Sequence, residues 1–184
     1  MIERLLMLVL RFKTIVRAGF AYLRRFYLTP RLWSRRVFLH HIMLPDPDPH
    51  PHDHPWPFTT IPLKGWYQEV VYERTLDGHL TGIRRLARTR WLRPAKREAT
   101  HAHRIVCTSP GGAWTLVIAG RAVREWGFLT EAGWVPWYTY LGVPNEPAPE
   151  DRIPMTQGQI HAAFAAGKLT PKQAAEATLA RKKS

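Results

Sequence analysis

The sequence predicts a mostly β protein, a sandwich or barrel of short strands with a helical segment at each end. Three observations lead there. Short β-type stretches recur at regular spacing through the middle of the chain, Gly-containing turns separate most of them, and six prolines within 45–57 exclude helix from the one long connection. At 184 residues the chain is long enough to bury one core of ordinary size.

From Met1 to about Leu28, the apolar positions Leu5, Val9, Phe12, Val16, Phe20, Leu23 and Tyr27 repeat at three or four residues, with Arg4, Arg11, Lys13, Arg17, Arg24 and Arg25 between them. That spacing predicts a basic amphipathic helix over 1–30, docked on the barrel or a twin subunit, or facing a membrane surface or nucleic acid. Its apolar run, Leu5 to Leu10, is far below the roughly 18 residues that cross a bilayer, so no transmembrane segment is expected. No small-residue cleavage site follows it, because Arg24, Arg25 and Phe26 come next.

Pro30 ends that helix, and a barrel is expected over 31–143. Its first strand, Arg35 to Leu44, is apolar on both faces. After the proline block, strands are predicted at Phe58–Leu63, Trp66–Glu73, Leu80–Leu86, near Arg90–Leu92, then Arg104–Cys107, Trp114–Ile118, Val123–Thr130 and Trp134–Tyr138. Turns at Lys64-Gly65, Asp77-Gly78, Pro110-Gly111-Gly112, Ala119-Gly120 and Ala132-Gly133 punctuate them. A Pro-rich linker at 144–155 leads to a helical hairpin over 156–184. Its helices run from about Gln157 to Ala166, stopped by Gly167, and from Pro171 to Arg181, with Thr170 as N-cap and Pro171 at the first helical position.

The net charge of +13 is unevenly spread. Residues 1–44 carry nine Lys/Arg against Glu3, residues 168–184 five against Glu176, and the middle is close to neutral. The basic character therefore belongs to the two extensions, the pattern expected when tails rather than the core meet an anionic partner. The run Arg84, Arg85, Arg88, Arg90, Arg93, Lys96 and Arg97 is read either as the solvated face of a hairpin or as a phosphate-tracking stripe. Cys107 is the one cysteine, which excludes an internal disulfide and a thiolate metal site and suits a cytoplasmic protein.

The chemistry-bearing residues are concentrated. His50, His52, Asp53 and His54 sit inside the proline block, Glu69 follows, and His101 and His103 lie about fifty residues on. A His-x-His pair on an extended segment points both rings to one face, and imidazole with carboxylate suits Fe, Zn, Mn, Ni or Cu. The pattern is that of a mononuclear metal site.

The motifs "HDHPWPF", "LKGWYQE", "HRI" and "REWGF…GWVPW", spread over about residues 35 to 140, resemble the cupin superfamily, and more narrowly small single-domain cupin-like proteins of bacteria and phages. The resemblance implies a jelly-roll-like barrel whose metal is held by two histidines and a glutamate from a first motif and a histidine from a second. It thus implies His52, His54, Glu69 and His103 as metal ligands. The chain departs from the pattern where the glutamate is expected, since Phe58 and Thr59 stand there. Glu69 lies on the next strand, where a hairpin at Lys64-Gly65 would set it opposite about Thr60, and a three-histidine site with water in place of the carboxylate also fits. The C-terminal stretch is similar to the short helical-hairpin tails known as SHOCT domains.

Such a site implies one divalent transition metal, Fe(II) favoured and Zn, Mn, Ni or Cu alternatives, in an oxygenase-like enzyme acting on a small acidic substrate. Tyr67, Tyr72, Trp114, Arg121, Arg124 and Trp126 could form an aromatic wall with cationic clamps; in that reading Arg124 orients the substrate and Tyr67 donates a proton or hydrogen bond. The competing class is a phage-related assembly or interaction protein that keeps a cupin shell and binds nucleic acid or other subunits through its basic extensions. A homodimer pairing through exposed strands is expected in either case.

Overall fold

The computed structural model describes residues 2–17, 19–29, 35–74, 80–146 and, near the C-terminus, positions 159, 160, 162 and 165. Among these, helix α1 (Ile2–Val9) precedes strands β1 (Phe12–Arg17), β2 (Phe20–Tyr27), β3 (Arg36–Ile42), β4 (Phe58–Lys64), β5 (Tyr67–Arg74), β6 (Leu80–Arg88), β7 (Ala95–Arg97), β8 (Ala102–Thr108), β9 (Ala113–Ala119), β10 (Gly127–Thr130) and β11 (Gly133–Pro136), and the single-turn helix α2 (Trp137–Leu141). No helix among them is long and apolar enough to cross a membrane.

Every strand pair is antiparallel. One sheet has the order β1-β2-β3-β9-β4-β7, and a second has β6-β5-β8. The proline block extends the second sheet: His52 bridges to His103 of β8 and to Phe128 of β10, and thereby links the hairpin β10-β11 to β8. The sheets face each other through Ile42 and Ala113 on one side and Tyr67 and Ile105 on the other, while Phe38, Trp56, Val117 and Ala119 fill a second core cluster. Strict alternation in β9, where Thr115 and Val117 turn inward and Trp114 and Leu116 outward, follows from the two-residue period of a strand.

The N-terminal segment departs from expectation. The helix stops at Val9, and the chain then forms the hairpin β1-β2, whose Gly19 takes φ +79° in the turn. Two factors favour strand here. Thr14, Ile15 and Val16 form a β-branched run, and β2 gains a full ladder with β3 that pairs Phe26 with Leu39 and Arg25 with His40. Phe26 becomes fully buried, stacked on Trp114 with ring centres 6.0 Å apart, a burial that contributes roughly 2–3 kcal/mol and outweighs a helical periodicity that was only local. α1 is fastened to the outer face of this sheet by Glu3, which accepts from Arg24 at 2.7 Å and contacts His41 Nδ1 at 2.8 Å. The basic N-terminal segment is therefore the edge of a sheet rather than an extension.

Three further expectations change. The Lys64-Gly65 turn is not a hairpin: β4 pairs with β7 and β9, β5 with β6 and β8, so the turn carries the chain from one sheet to the other. Gly65 is required there, with φ +69° and a backbone so close to Gly112 O that an added Cβ would lie 2.4 Å away. The strand expected near Arg90–Leu92 is a turn, with β7 following it, and the strand expected at Trp134–Tyr138 ends at Pro136. Of the C-terminal hairpin, Gln159, Ile160, Ala162 and Ala165 are helical and Ile160 is buried; the second helix, the Asp77-Gly78 turn and most of the Pro-rich linker lie outside the described residues.

Candidate metal centre

The proline block behaves as a strand stitched between β8 and β10. His52 and His103 exchange both backbone hydrogen bonds, at 2.9 and 3.0 Å, Asp53 N–H donates to Gly127 O at 3.1 Å, and Leu129 N–H donates to Pro51 O at 2.9 Å. Prolines 51 and 55 suit it because their carbonyls still accept while their missing N–H groups are not called upon. In an extended segment, adjacent side chains point opposite ways, so His52 and His54 share the cavity side while Asp53 turns into the wall.

Asp53 is fully buried and anchors the wall. Its carboxylate accepts from Arg124 at 2.5 Å, from Gly127 N–H at 2.8 Å and from Trp134 Nε1 at 3.0 Å. This corrects the expectation for Arg124, which does not line the cavity: an inward arginine needs a partner, and that partner is Asp53 rather than a substrate. Trp114 likewise faces outward, stacked on His41 at 4.3 Å, whereas Trp126 and Tyr67 do line the cavity.

The histidines converge. His52, His54 and His103 offer one ligand atom each, all within 4.8 Å of one another, and His54 Nε2 lies 3.0 Å from His103 Nε2. Burial pushes His52 down to about 4 and His54 well below the ordinary histidine value, with nearby imidazoles adding to the effect, so both are neutral near pH 7. Behind the rings stand carboxylates. His103 Nδ1 donates to Glu69 Oε2 at 2.6 Å, and His52 Nδ1 lies 3.7 Å from Asp46, which itself accepts from Ile105 N–H at 2.8 Å.

Glu69 reaches the site by a different route from the one expected. It sits on β5 in register with Ile105 while His103 pairs with Val71, which makes Glu69 and His103 diagonal neighbours on the inner face. Its other oxygen accepts from Arg97 at 2.8 Å, and His101 Nε2 stands 3.9 Å away. Burial opposes the charge on Glu69, but His101, His103 and Arg97 outweigh it and hold the carboxyl far below the usual range. Glu69, His101 and His103 form a second set of clustered donors sharing His103. In the arrangement shown, the Glu69 carboxylate fixes the His103 tautomer and leaves Nε2 free toward His54. His50 lies apart, bonded to Tyr140 at 2.9 Å and Glu131 at 3.2 Å.

The rings look into a cavity of about 440 Å³ between the sheets. Tyr67, Phe58, Trp126 and Phe128 supply apolar walls, and the β1-β2 hairpin closes one side with Lys13, Arg17 and Arg25. Tyr67 is buried and its hydroxyl pKa is pushed upward, first by burial and then by the Glu69 charge, so it remains a donor. Asp46, Arg25 and Arg97 were not singled out as site residues from the sequence, and Asp53 was named only as a member of the His/Asp cluster. For the two aspartates the signal was present, since an alternating Asp/His pattern in an extended segment sorts its members to opposite faces.

No protein-family model matches the sequence, and no curated protein matches it. Solved structures with a similar course include iron(II) HppE with the alternative substrate (S)-1-HPP, at 14% identity over 61% of this chain and 56% of that one, TM-score 0.46. The chain thus spans little more than half the length of that protein. A cupin-2 domain protein from Rhodospirillum rubrum matches at 12% identity over 86% and 88%, TM-score 0.47, and a cupin 2 conserved barrel domain protein from Rhodopseudomonas palustris at 10% over 68% and 81%, TM-score 0.49. Two facing antiparallel sheets, with histidine-bearing segments turned into the space between them, make this chain a mostly β, barrel-like fold.

Proposed function

We propose that the chain binds one divalent transition metal through His52, His54 and His103 and acts with it on a small molecule held in the cavity. The observation that carries this reading is the 3.0 Å separation of His54 Nε2 and His103 Nε2 in a cluster of three imidazoles. Two nitrogens about 2.1 Å from a common ion and at right angles would stand about 3.0 Å apart, so His54 and His103 are spaced as two ligands of one ion, with His52 offering a third atom within 4.8 Å. Imidazole nitrogens with open positions suit Fe(II), the metal favoured from the sequence, and Zn, Ni, Cu or Mn as alternatives. When bound, such an ion supplies an electrophilic centre and, if it is iron, access to oxygen-dependent oxidation.

The protein's own residues do the rest. Glu69 keeps the His103 proton on Nδ1, in the manner of a carboxylate behind a metal-bound imidazole, and is a positioning residue rather than a fourth ligand. Arg97 offsets its charge. Asp53, held by Arg124, Gly127 and Trp134, fixes the direction in which His52 and His54 point. Tyr67 holds a proton at the cavity wall. The apolar lining excludes water from the reacting region. A purely structural role in an assembly has no use for a cavity lined by clustered imidazoles, so the enzymatic reading is the better supported one.

The test is metal content, by plasma mass spectrometry, of protein purified without added metal or a histidine-rich tag. Near one equivalent is expected in the wild type, little in a His52→Ala/His54→Ala variant. Metal absent from wild type, and not taken up on reconstitution, overturns the reading.

A further inference from the structure

A cation that the sequence had not singled out faces this cavity. Arg25, in β2, lines the cavity that the histidines look into. Its Nε donates to His40 Nε2 at 3.1 Å, and its guanidinium carbon stands 4.9 Å from the Phe38 ring centre and 5.6 Å from that of Trp56. These contacts fix the plane of the fork while using one of its five N–H donors. His40 is held neutral, its pKa pushed well below the ordinary value by burial and then by Arg25 itself, so it serves as an acceptor and does not compete for an anion.

The carboxylates around the cavity are engaged elsewhere. Asp53 is taken by Arg124, Asp48 stands 4.0 Å from Arg17, and Asp46 accepts from Ile105 N–H. Among the described residues no carboxylate pairs with Arg25, which leaves a partly buried, oriented guanidinium with free donors beside the apolar walls of the cavity. A partly buried arginine, oriented and with donors to spare, suits an oxyanion. Lys13 and Arg17 on the cavity wall are balanced in number by Asp46 and Asp48, Asp53 is taken by Arg124, and Glu146 lies exposed at the rim, so beyond Arg25 the described lining offers no surplus cation for a second negative charge on the ligand.

We propose that Arg25 is the anion-binding residue of this cavity and takes the carboxylate of a small, largely apolar monoanionic acid, with His40 as the group that positions it. This rests on reading the cavity as a small-molecule site, but not on the metal being bound.

The test is isothermal titration calorimetry on the full-length protein, metal-loaded and metal-free, with phenylacetate, phenylacetamide and phenyl phosphate as probes. Phenylacetate is expected to bind wild type at least about tenfold more tightly than either of the others, the loss expected when a charged hydrogen-bonded pair is removed or a second charge goes unpartnered. Arg25→Gln should lose that preference while retaining its metal content, Arg25→Lys should keep part of it, and His40→Ala should weaken phenylacetate several-fold without affecting phenylacetamide. The comparison of acid with amide on wild type needs no variant, so a variant that fails to fold leaves the test intact. Equal binding of acid and amide, undiminished binding to Arg25→Gln, tighter binding of phenyl phosphate, or no binding of phenylacetate each overturns the proposal. Arg25-dependent binding in protein that takes up no metal would leave the proposal standing and overturn the metal reading alone.

Discussion

At the scale of single residues, the centre depends on which atom each side chain spends on its neighbours. His103 spends Nδ1 on Glu69 and keeps Nε2 for the cluster. Glu69→Gln should therefore fold and still bind metal, but about 10–100-fold more weakly, as expected for loss of a carboxylate behind a ligating imidazole; titration with a competing chelator measures this. His54→Ala should abolish tight binding. Asp53 makes a different demand, because it is fully buried and bonded to Arg124, Gly127 and Trp134. Asp53→Ala strands Arg124 and removes the wall's anchor, at an expected cost of about 3 kcal/mol in urea denaturation, the scale of breaking a buried ion pair. The histidine triad was legible in the sequence because His-x-His spacing has a geometric meaning. The contacts of Glu69 and Arg124 were not, because both depend on partners, His103 and Asp53, that are brought together only across strands.

At the scale of elements, most strands from Phe58 onward were read from their turns, though β7 was not, Arg90–Leu92 proved a turn and the strand expected from Val123 begins at Gly127; the N-terminal hairpin was missed. A repeat of three or four residues places apolar groups on both faces of a strand as readily as on one face of a helix, and the pairing of β2 with β3 decides between them through contacts some fifteen residues apart. The consequence is functional, since it is this hairpin that brings Arg25 to the cavity. Gly65 illustrates the converse, a turn residue found correctly whose geometry only the fold reveals. Gly65→Ala would force a side chain into a left-handed backbone against Gly112 O, and a loss of more than about 1 kcal/mol is expected in thermal unfolding. His40 in β3 gives a pH dependence. Its folded pKa is depressed from 6.5, so as pH falls below 6.5 the unfolded chain gains a proton that the fold refuses, and stability declines. His40→Gln should lose less stability than wild type between neutral and acidic pH, by up to about 1.4 kcal/mol per pH unit, measured by urea titration across that range.

At the scale of the whole molecule, two antiparallel sheets hold a cavity between them, and a proline-stiffened segment carries two of the three histidines along its edge. A rigid connector suits that place because ligand positions must be fixed before the metal arrives. Metal binding should accordingly stabilise the fold, by about 2.7 kcal/mol at a hundredfold excess over Kd, seen as an upward shift of the thermal midpoint that His54→Ala abolishes. The asymmetry of charge along the sequence had suggested basic tails around a neutral core; the fold instead builds much of the N-terminal charge into the sheet that walls the cavity, with Lys13, Arg17 and Arg25 on its inner side. The central claim is that three imidazoles share one ion, and X-ray absorption at the edge of the metal bound to wild-type protein tests it most directly. The account predicts imidazole scattering from three ligands at about 2.1 Å, reduced in His54→Ala. A spectrum with oxygen ligands and no imidazole contribution would contradict it.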